Sequence, residues 1–277
     1  VARGSSKVPP MTDDQAETIP LAGSTLVRGG GFEAELKWFT VGNLAFVKHA
    51  IHSARDLTPG DGDVFGQTLS RVADGLAEQG VAVRYGVERP VADPTDPVGA
   101  AVADAAGLEP TAPVTVLRRK LPIDADEPAR QGATPTGRPV RAETDGAAWS
   151  ALVATLADFP SRGDALDLGP NDFATVVEAD DGSSLLACCW ARTMAPAAPG
   201  SPTTTEIVAV GVAGGVDAAT AAGLRRAAVV AMADLVGASG VRTLAIPVSS
   251  DDEALTAVVE DLGFVARRSR QQYVRPA

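Results

Sequence analysis

Glu206-Ile-Val-Ala-Val-Gly-Val212 and Gly240-Val-Arg-Thr-Leu-Ala-Ile-Pro-Val248 flank an alanine-rich run and are followed by Asp251-Asp-Glu-Ala-Leu255 and Leu262-Gly263-Phe264. The two apolar, β-branched stretches read as strands. Residues 218–236 have the composition of highest helix propensity and read as one long helix. A shorter helix is expected over 251–262, and Gly240 and Gly263 stand where helices end. Arg267–Val274 closes the chain as a strand. Strands alternating with helices place this half in the α/β class.

The pattern extends outward from there. Trp149, Leu152, Val153 and Leu156 predict a helix over 149–159, with Asp145 among its candidate N-cap residues. Phe173–Ala179 and Ser184–Met194 read as strands joined by the turn Asp180-Asp-Gly182, and Thr204–Val212 as the next strand. In the first half, Glu33–Thr40 and Leu44–Ile51 suit a hairpin turned at Gly42-Asn43. Phe65, Leu69, Val72, Ala73 and Leu76 recur at helical spacing, so 64–79 is a helix ended by Gly80. Strands follow at 81–87 and 113–121, with a short helix at 98–106 between them. The two halves share this order: long helix, glycine, strand, shorter helix, glycine, strand. The shared order predicts a duplication. It implies a first domain at 21–122, a linker rich in Asp, Glu, Pro, Gly and Thr at 123–139, and a second domain at 140–277. Residues 1–20 read as a vector scar, 1–10, and a flexible N-terminus, with Met11 as the native start.

The chain has 277 residues, 45% of them hydrophobic and 21% charged, enough apolar side chain for real cores. No apolar run is as long as a membrane span. Its net charge of −11 argues against sequence-independent nucleic-acid binding and suits a neutral or cationic small partner. Two adjacent cysteines, Cys188 and Cys189, cannot staple a secreted scaffold, so a reduced, cytoplasmic protein is expected.

The 206–264 stretch resembles the GCN5-related N-acetyltransferases, whose domains end in this strand-helix-strand-helix-(Gly-Phe)-strand order. The resemblance covers about 141–274, and 64–121 looks like a second, weaker copy that is truncated at its start. It implies two domains of this kind, each a mixed sheet flanked by helices, as in tandem members of actinobacterial type. Completion of the first sheet by the other domain or by a second chain, as a homodimer, would follow. It also implies an acyl-CoA-dependent N-acyltransferase using acetyl-CoA or another acyl-CoA on a small amine, with no metal, no nucleic acid and no membrane. The second domain would be catalytic. A non-catalytic scaffold that binds CoA or a protein stays open beside it.

In the family, acyl-CoA lies between two splayed parallel strands, with its pyrophosphate on backbone N–H groups at the start of the long helix. A Gln/Arg-x-x-Gly-x-Gly/Ala turn normally lets the phosphates approach. Here Ala218-Ala-Thr-Ala-Ala-Gly-Leu-Arg-Arg226 is matched to it, leaving Gly223 as its one glycine. Val212, Ala222, Gly223, Leu224, Arg225 and Arg226 are therefore the expected cofactor-binding residues. The matching turn of the first half, Gly60-Asp-Gly-Asp-Val-Phe-Gly66, carries acidic residues that would repel phosphate. Glu206 takes the general-base position, and a backbone N–H near Gly211 or Val212 would polarise the thioester. The family's acidic tyrosine falls on Val259, which cannot donate a proton, and Tyr273 is the substitute. His49 and His52 read as polar loop or strand-end residues rather than metal ligands. The three tryptophans, Trp38, Trp149 and Trp190, read as core anchors.

Overall fold

A computed structural model describes residues 19–20, 22–29, 32–41, 43–51, 58–91, 96–123, 136–156, 159, 168–194 and 203–275. The described residues form two compact units. The first takes the chain up to Val87, then the described part of 95–111, and finally 272–275. The second takes 88–91 and the described part of 112–271.

In the first unit, β1 (Ala22–Gly29), β2 (Phe32–Val41) and β3 (Leu44–Ile51) form an antiparallel meander. β4 (Ala82–Pro90) then pairs parallel to β3 after α1 (Gly62–Ala77). Phe65, Leu69, Val72, Ala73 and Leu76, the predicted stripe of α1, are all buried. They face alternate strand residues, Leu36 and Trp38 of β2 and Val47 of β3, so helix period and strand period meet in one core. Gly80 ends the helix in a left-handed conformation, φ +72°, as expected.

α2 (Pro97–Ala105) lies directly against α1. Gly62 and Gly66 of the first acidic turn serve that contact. A Cβ at Gly66 would stand 2.4 Å from the Ala105 methyl and 2.9 Å from the Val102 carbonyl oxygen. Gly66→Val is therefore expected to cost about 1–3 kcal/mol through overpacking. Urea unfolding would check it, and an unchanged midpoint would show that the helices can separate.

In the second unit, β7 (Gly137–Pro139), β8 (Asp172–Glu178), β9 (Leu185–Met194) and β10 (Thr204–Val212) are successive antiparallel neighbours. β10 leads through α4 (Ala218–Ala238) to β11 (Thr243–Ser249), which lies parallel to it. α5 (Glu253–Asp261) and β12 (Val265–Val274) follow. α4 and α5 cover one face, where Leu224, Val229, Met232, Val258 and Val259 meet Ile207, Leu244 and Ile246. α3 (Ala142–Val153) packs beside β9, with Trp149, Phe159 and Trp190 in ring contact. From their last three antiparallel strands onward both units share an order of helix, parallel strand, helix and strand, while the second unit adds β7 and α3 ahead of these. The first unit has three strands ahead of its helix, not two.

The units do not divide where the sequence suggested. β5 (Glu109–Pro110) pairs with Tyr273 and Val274 at the end of β12, within the first unit. β6 (Val114–Lys120), read with the first half, sits in the second unit. There it is hydrogen-bonded to β11 on one edge and to β12 on the other. Both faces of β6 are apolar at Val116 and Leu117, as an interior strand requires. Part of the expected linker, 124–135, lies outside the described residues. Ile123, at its start, is buried in the second core, and its end forms β7, so these parts are structure and not linker. α3 begins at Ala142, earlier than predicted, with Arg141 at the N-cap. Asp145 lies one turn inside and reaches back to accept the Arg141 N–H at 2.7 Å. The expected scar and frayed start, 1–18, fall outside the described residues. Among those described, no helix is long and apolar enough to cross a membrane.

Candidate active site

The centre of the second unit is a parting of parallel strands. β10 and β11 pair only at Thr205–Leu244 and Glu206–Ala245. β10 nevertheless follows β9 as far as Val212, and β11 follows β6 over its whole length. The two strands therefore diverge beyond Glu206. A bulge between Ile207 and Ala209 starts the divergence, because an extra residue bends the strand that carries it.

The ladder also fixes which backbone groups face the gap. Ala213 donates to the Leu186 carbonyl at 2.8 Å. Antiparallel bonding alternates along a strand, so Gly211 turns its N–H toward β9, while Val210 and Val212 turn theirs to the β11 side. Val212, and not Gly211, thus meets the geometric requirement for a thioester-polarising donor. Gly211 serves packing: a Cβ there would lie 2.1 Å from Leu156 Cδ1.

Glu206 sits at the last pair before the strands part. Ile207 points into the α4 side of the sheet, so Glu206 points to the opposite face. Arg270 reaches over β6 and β11 to meet it. Its Nη1 donates to Oε1 at 3.0 Å and its Nη2 to Oε2 at 3.1 Å. Only 13% of the Glu206 side chain and 11% of the Arg270 side chain are exposed. A bidentate pair of this kind fixes the orientation of both groups. Arg192, directly across the ladder from Glu206, is itself paired with Asp172 at 3.0 Å. Charges therefore alternate across this face in the order Asp172, Arg192, Glu206, Arg270. Nothing local in the sequence pointed to Arg270, which lies 64 residues from its partner.

The start of α4 differs from the expectation. The helix begins at Ala218, directly after Asp217, so Ala222 to Arg226 lie inside it and not in a phosphate turn. Their N–H groups belong to the helix ladder. Leu224 is buried in the core, with Ala222 partly buried against it. Arg225 and Arg226 tie α4 to α5 through Asp252, at 3.6 Å, and Asp261. The turn that precedes the helix is Ala213-Gly214-Gly215-Val216, with Gly215 at φ +87°.

Asp217 occupies the donors that an anion would use. Its Oδ1 accepts from Ala219 N and Thr220 N, both at 3.0 Å, and its Oδ2 from the Thr220 hydroxyl at 2.6 Å. Its carbonyl takes the Ala221 N–H at 2.9 Å. The Thr220 hydroxyl and the two N–H groups hold its carboxyl below the usual aspartate range. A fixed negative charge thus stands at the positive end of the helix.

Tyr273 belongs to the first unit, whereas Glu206 and α4 belong to the second. It is buried in that unit's core with its ring 6.0 Å from Tyr85, and burial raises its phenol above the ordinary value. Val259 is fully buried in the second core, as an apolar residue at that position should be. Cys188 and Cys189 are buried on opposite faces of β9. Burial pushes the Cys188 thiol up to about 12 and that of Cys189 well above the usual range, so neither is a thiolate at neutral pH. Trp38, Trp149 and Trp190 are all core residues. The side chains of His49 and His52 lie outside the described residues, among which no three metal-ligating groups come together. A cleft of about 450 Å³ opens elsewhere in this unit, between α5 and strands β6 and β11, and Glu206 does not line it.

No protein-family model matches the sequence, and no curated protein matches it. Solved structures do match. A GCN5-related N-acetyltransferase from Kribbella flavida aligns at a TM-score of 0.54 and 15% identity, over 91% of this chain and 90% of that one. A tandem GNAT protein from the clavulanic acid biosynthesis pathway, solved without AcCoA, aligns at 0.54 and 15%, over 93% and 85%. Saccharomyces cerevisiae N-myristoyltransferase with bound myristoyl-CoA aligns at 0.50 and 11%, over 87% of this chain and 63% of that one. The fold is that of the GCN5-related N-acetyltransferases.

Proposed function

We propose that this chain is an acyl-CoA-dependent N-acyltransferase that moves an acetyl group to a small amine in the cytoplasm. The observation that carries the reading is the parting of β10 and β11 just beyond Glu206. It offers two outward N–H groups, at Val210 and Val212, on one side of a gap and a carboxylate at its closed end. In the reaction the amine nitrogen attacks the thioester carbonyl, forming the C–N bond as the C–S bond breaks. The Val212 N–H stabilises the oxygen that gains charge. Glu206 takes the proton the amine must lose, and the thiolate takes its proton from water.

The gap supports a seat for the thioester end of acyl-CoA, but the start of α4 does not offer the usual phosphate seat. The Asp217 carboxylate already fills it, and that observation favours a second reading, a non-catalytic CoA-fold scaffold. Thermal unfolding with acetyl-CoA and with CoA separates the two. A ligand at a hundred times its dissociation constant adds about 2.7 kcal/mol to the folded state, which is a rise of several degrees. A rise with both ligands is the expected result. No rise at millimolar ligand would overturn the acyltransferase reading and leave the scaffold.

A further inference from the structure

We propose that the open sheet face of the first unit binds a single nucleotide, with its base against Phe39 and Phe46 and its phosphate on Lys37 and Lys48. Leu36, Trp38 and Val47 turn into the core beneath α1, so the residues that alternate with them turn to the opposite face. The register sets those residues in rows. Phe39 lies directly across the ladder from Phe46, and their rings stack with centroids 5.4 Å apart and planes inclined by 19°. Arg84 of β4 continues that row beside Phe46. Two residues along, Lys37 lies directly across from Lys48. Like charges so placed repel, and an anion between them relieves the repulsion. Glu35 pairs with Lys37 at 2.9 Å. Lys48 and Arg84 have no carboxylate partner among the described residues, in a chain whose net charge is −11. The lysine row meets solvent: 45% of the Lys37 side chain is exposed, and Lys48 is exposed.

The aromatic row and the lysine row are two strand residues apart, roughly 7 Å. They suit a ligand that carries a flat ring at one end and a fixed negative charge at the other. A nucleotide has that form: its base stacks on phenyl rings and its phosphate takes ammonium groups. Arg84 adds a planar set of donors at the end of the aromatic row. The rest of β2 limits the ligand's length. Glu35 and Glu33 follow on the same face beyond the lysines, and a polyanion continuing along the strand would meet their carboxylates. A single nucleotide avoids them. All of these residues belong to the first unit, so the proposal does not rest on the acyltransferase reading.

Calorimetric titration of the whole chain at low salt with AMP, adenosine and ribose 5-phosphate tests the assignment. AMP is expected to bind roughly tenfold or more tightly than either fragment, because each fragment engages one row alone. Lys48→Glu should weaken AMP by roughly tenfold or more, since it turns an attraction into a repulsion. Phe46→Thr, which keeps a strand-forming residue on the face, should weaken AMP and leave ribose 5-phosphate unchanged. Added salt should weaken AMP and ribose 5-phosphate and spare adenosine. An affinity for AMP no better than that for ribose 5-phosphate would overturn the proposal, and needs no variant to fold. Absent binding of AMP at millimolar concentration would do the same. Binding left unchanged in folded Lys48→Glu would overturn it by placing AMP elsewhere on the chain. A short single-stranded oligoadenylate that binds roughly tenfold or more tightly than AMP would overturn it in favour of a nucleic-acid surface.

Discussion

Asp217→Ser is expected to tighten CoA binding by on the order of tenfold, the upper range for a charge at a helix terminus. Serine is as good an N-cap as aspartate, so it still satisfies one of the Ala219 and Thr220 donors, and stability should barely change. What it removes is the carboxylate that opposes a pyrophosphate at the same place. Asp217→Glu keeps the charge and serves as the control. The gain should shrink as salt rises, because the carboxylate is exposed and screened. Calorimetric titration with CoA at two salt concentrations reads it directly. Equal affinity in wild type and Asp217→Ser would show that the phosphates lie away from α4. Acid does not relieve the block near neutrality. The Asp217 carboxyl is held below its usual range, so it stays ionised at neutral pH and neutralises only in strong acid. Its contribution to the fold is present above the unfolded value and is lost as pH falls through the lower folded one.

Arg138→Ala is expected to cost about 3–5 kcal/mol, the usual penalty for leaving a buried carboxylate without its partner. Arg138 of β7 donates to Asp145 of α3 through Nη1 at 2.7 Å and Nη2 at 2.9 Å. It also meets Glu178 of β8. One guanidinium thus ties a short edge strand to a helix and to the next strand. Only 8% of the Asp145 side chain is exposed. Hydrogen bonds from Arg138 hold the Asp145 carboxyl at about 2, against the pull of its burial. The sign follows: a depressed folded value stabilises above about pH 4 and fades as pH falls toward 2. Its size is about 2 kcal/mol at neutral pH. Urea unfolding at pH 7 and pH 3 should show wild type losing about 1 kcal/mol of that increment, the rest going only as pH falls through about 2, and Arg138→Ala having none to lose. Arg138→Met with Asp145→Leu should recover part of the loss, since neither charge is then stranded. A cost under 1 kcal/mol for Arg138→Ala would mark the pair as a solvent-screened contact.

The strands and helices were legible where the period was unambiguous. β10 spans Thr204–Val212 as read, and the α1 stripe is buried residue for residue. Gly80, Gly107, Gly240 and Gly263 all take positive φ after helices, where the sequence placed helix ends. The phosphate seat was misread because a lone glycine, Gly223, was weighed above a cap. Asp217 before an alanine run is a strong N-cap signal, and it fixes the helix start at Ala218, ahead of Ala222. Glu206 could be singled out from its strand, but its partner could not. Hydropathy along a strand says which face a residue takes, not which strand lies beside it. That gap in the code also hid the placement of β6 and the loss of Tyr273 to the other core.

The position of β6 has a consequence in time. Val114–Lys120 leaves the ribosome with both of its edges open, and β11 follows roughly 120 residues later. At roughly 5–20 residues per second, that interval is on the order of 10 s. Throughout it the nascent chain holds an apolar strand whose rightful neighbours do not yet exist. The first unit must wait longer still, for Tyr273 of β12. Neither half can mature before β12 has emerged, and until then the nascent chain is exposed to capture by chaperones or by sister chains on the same polysome.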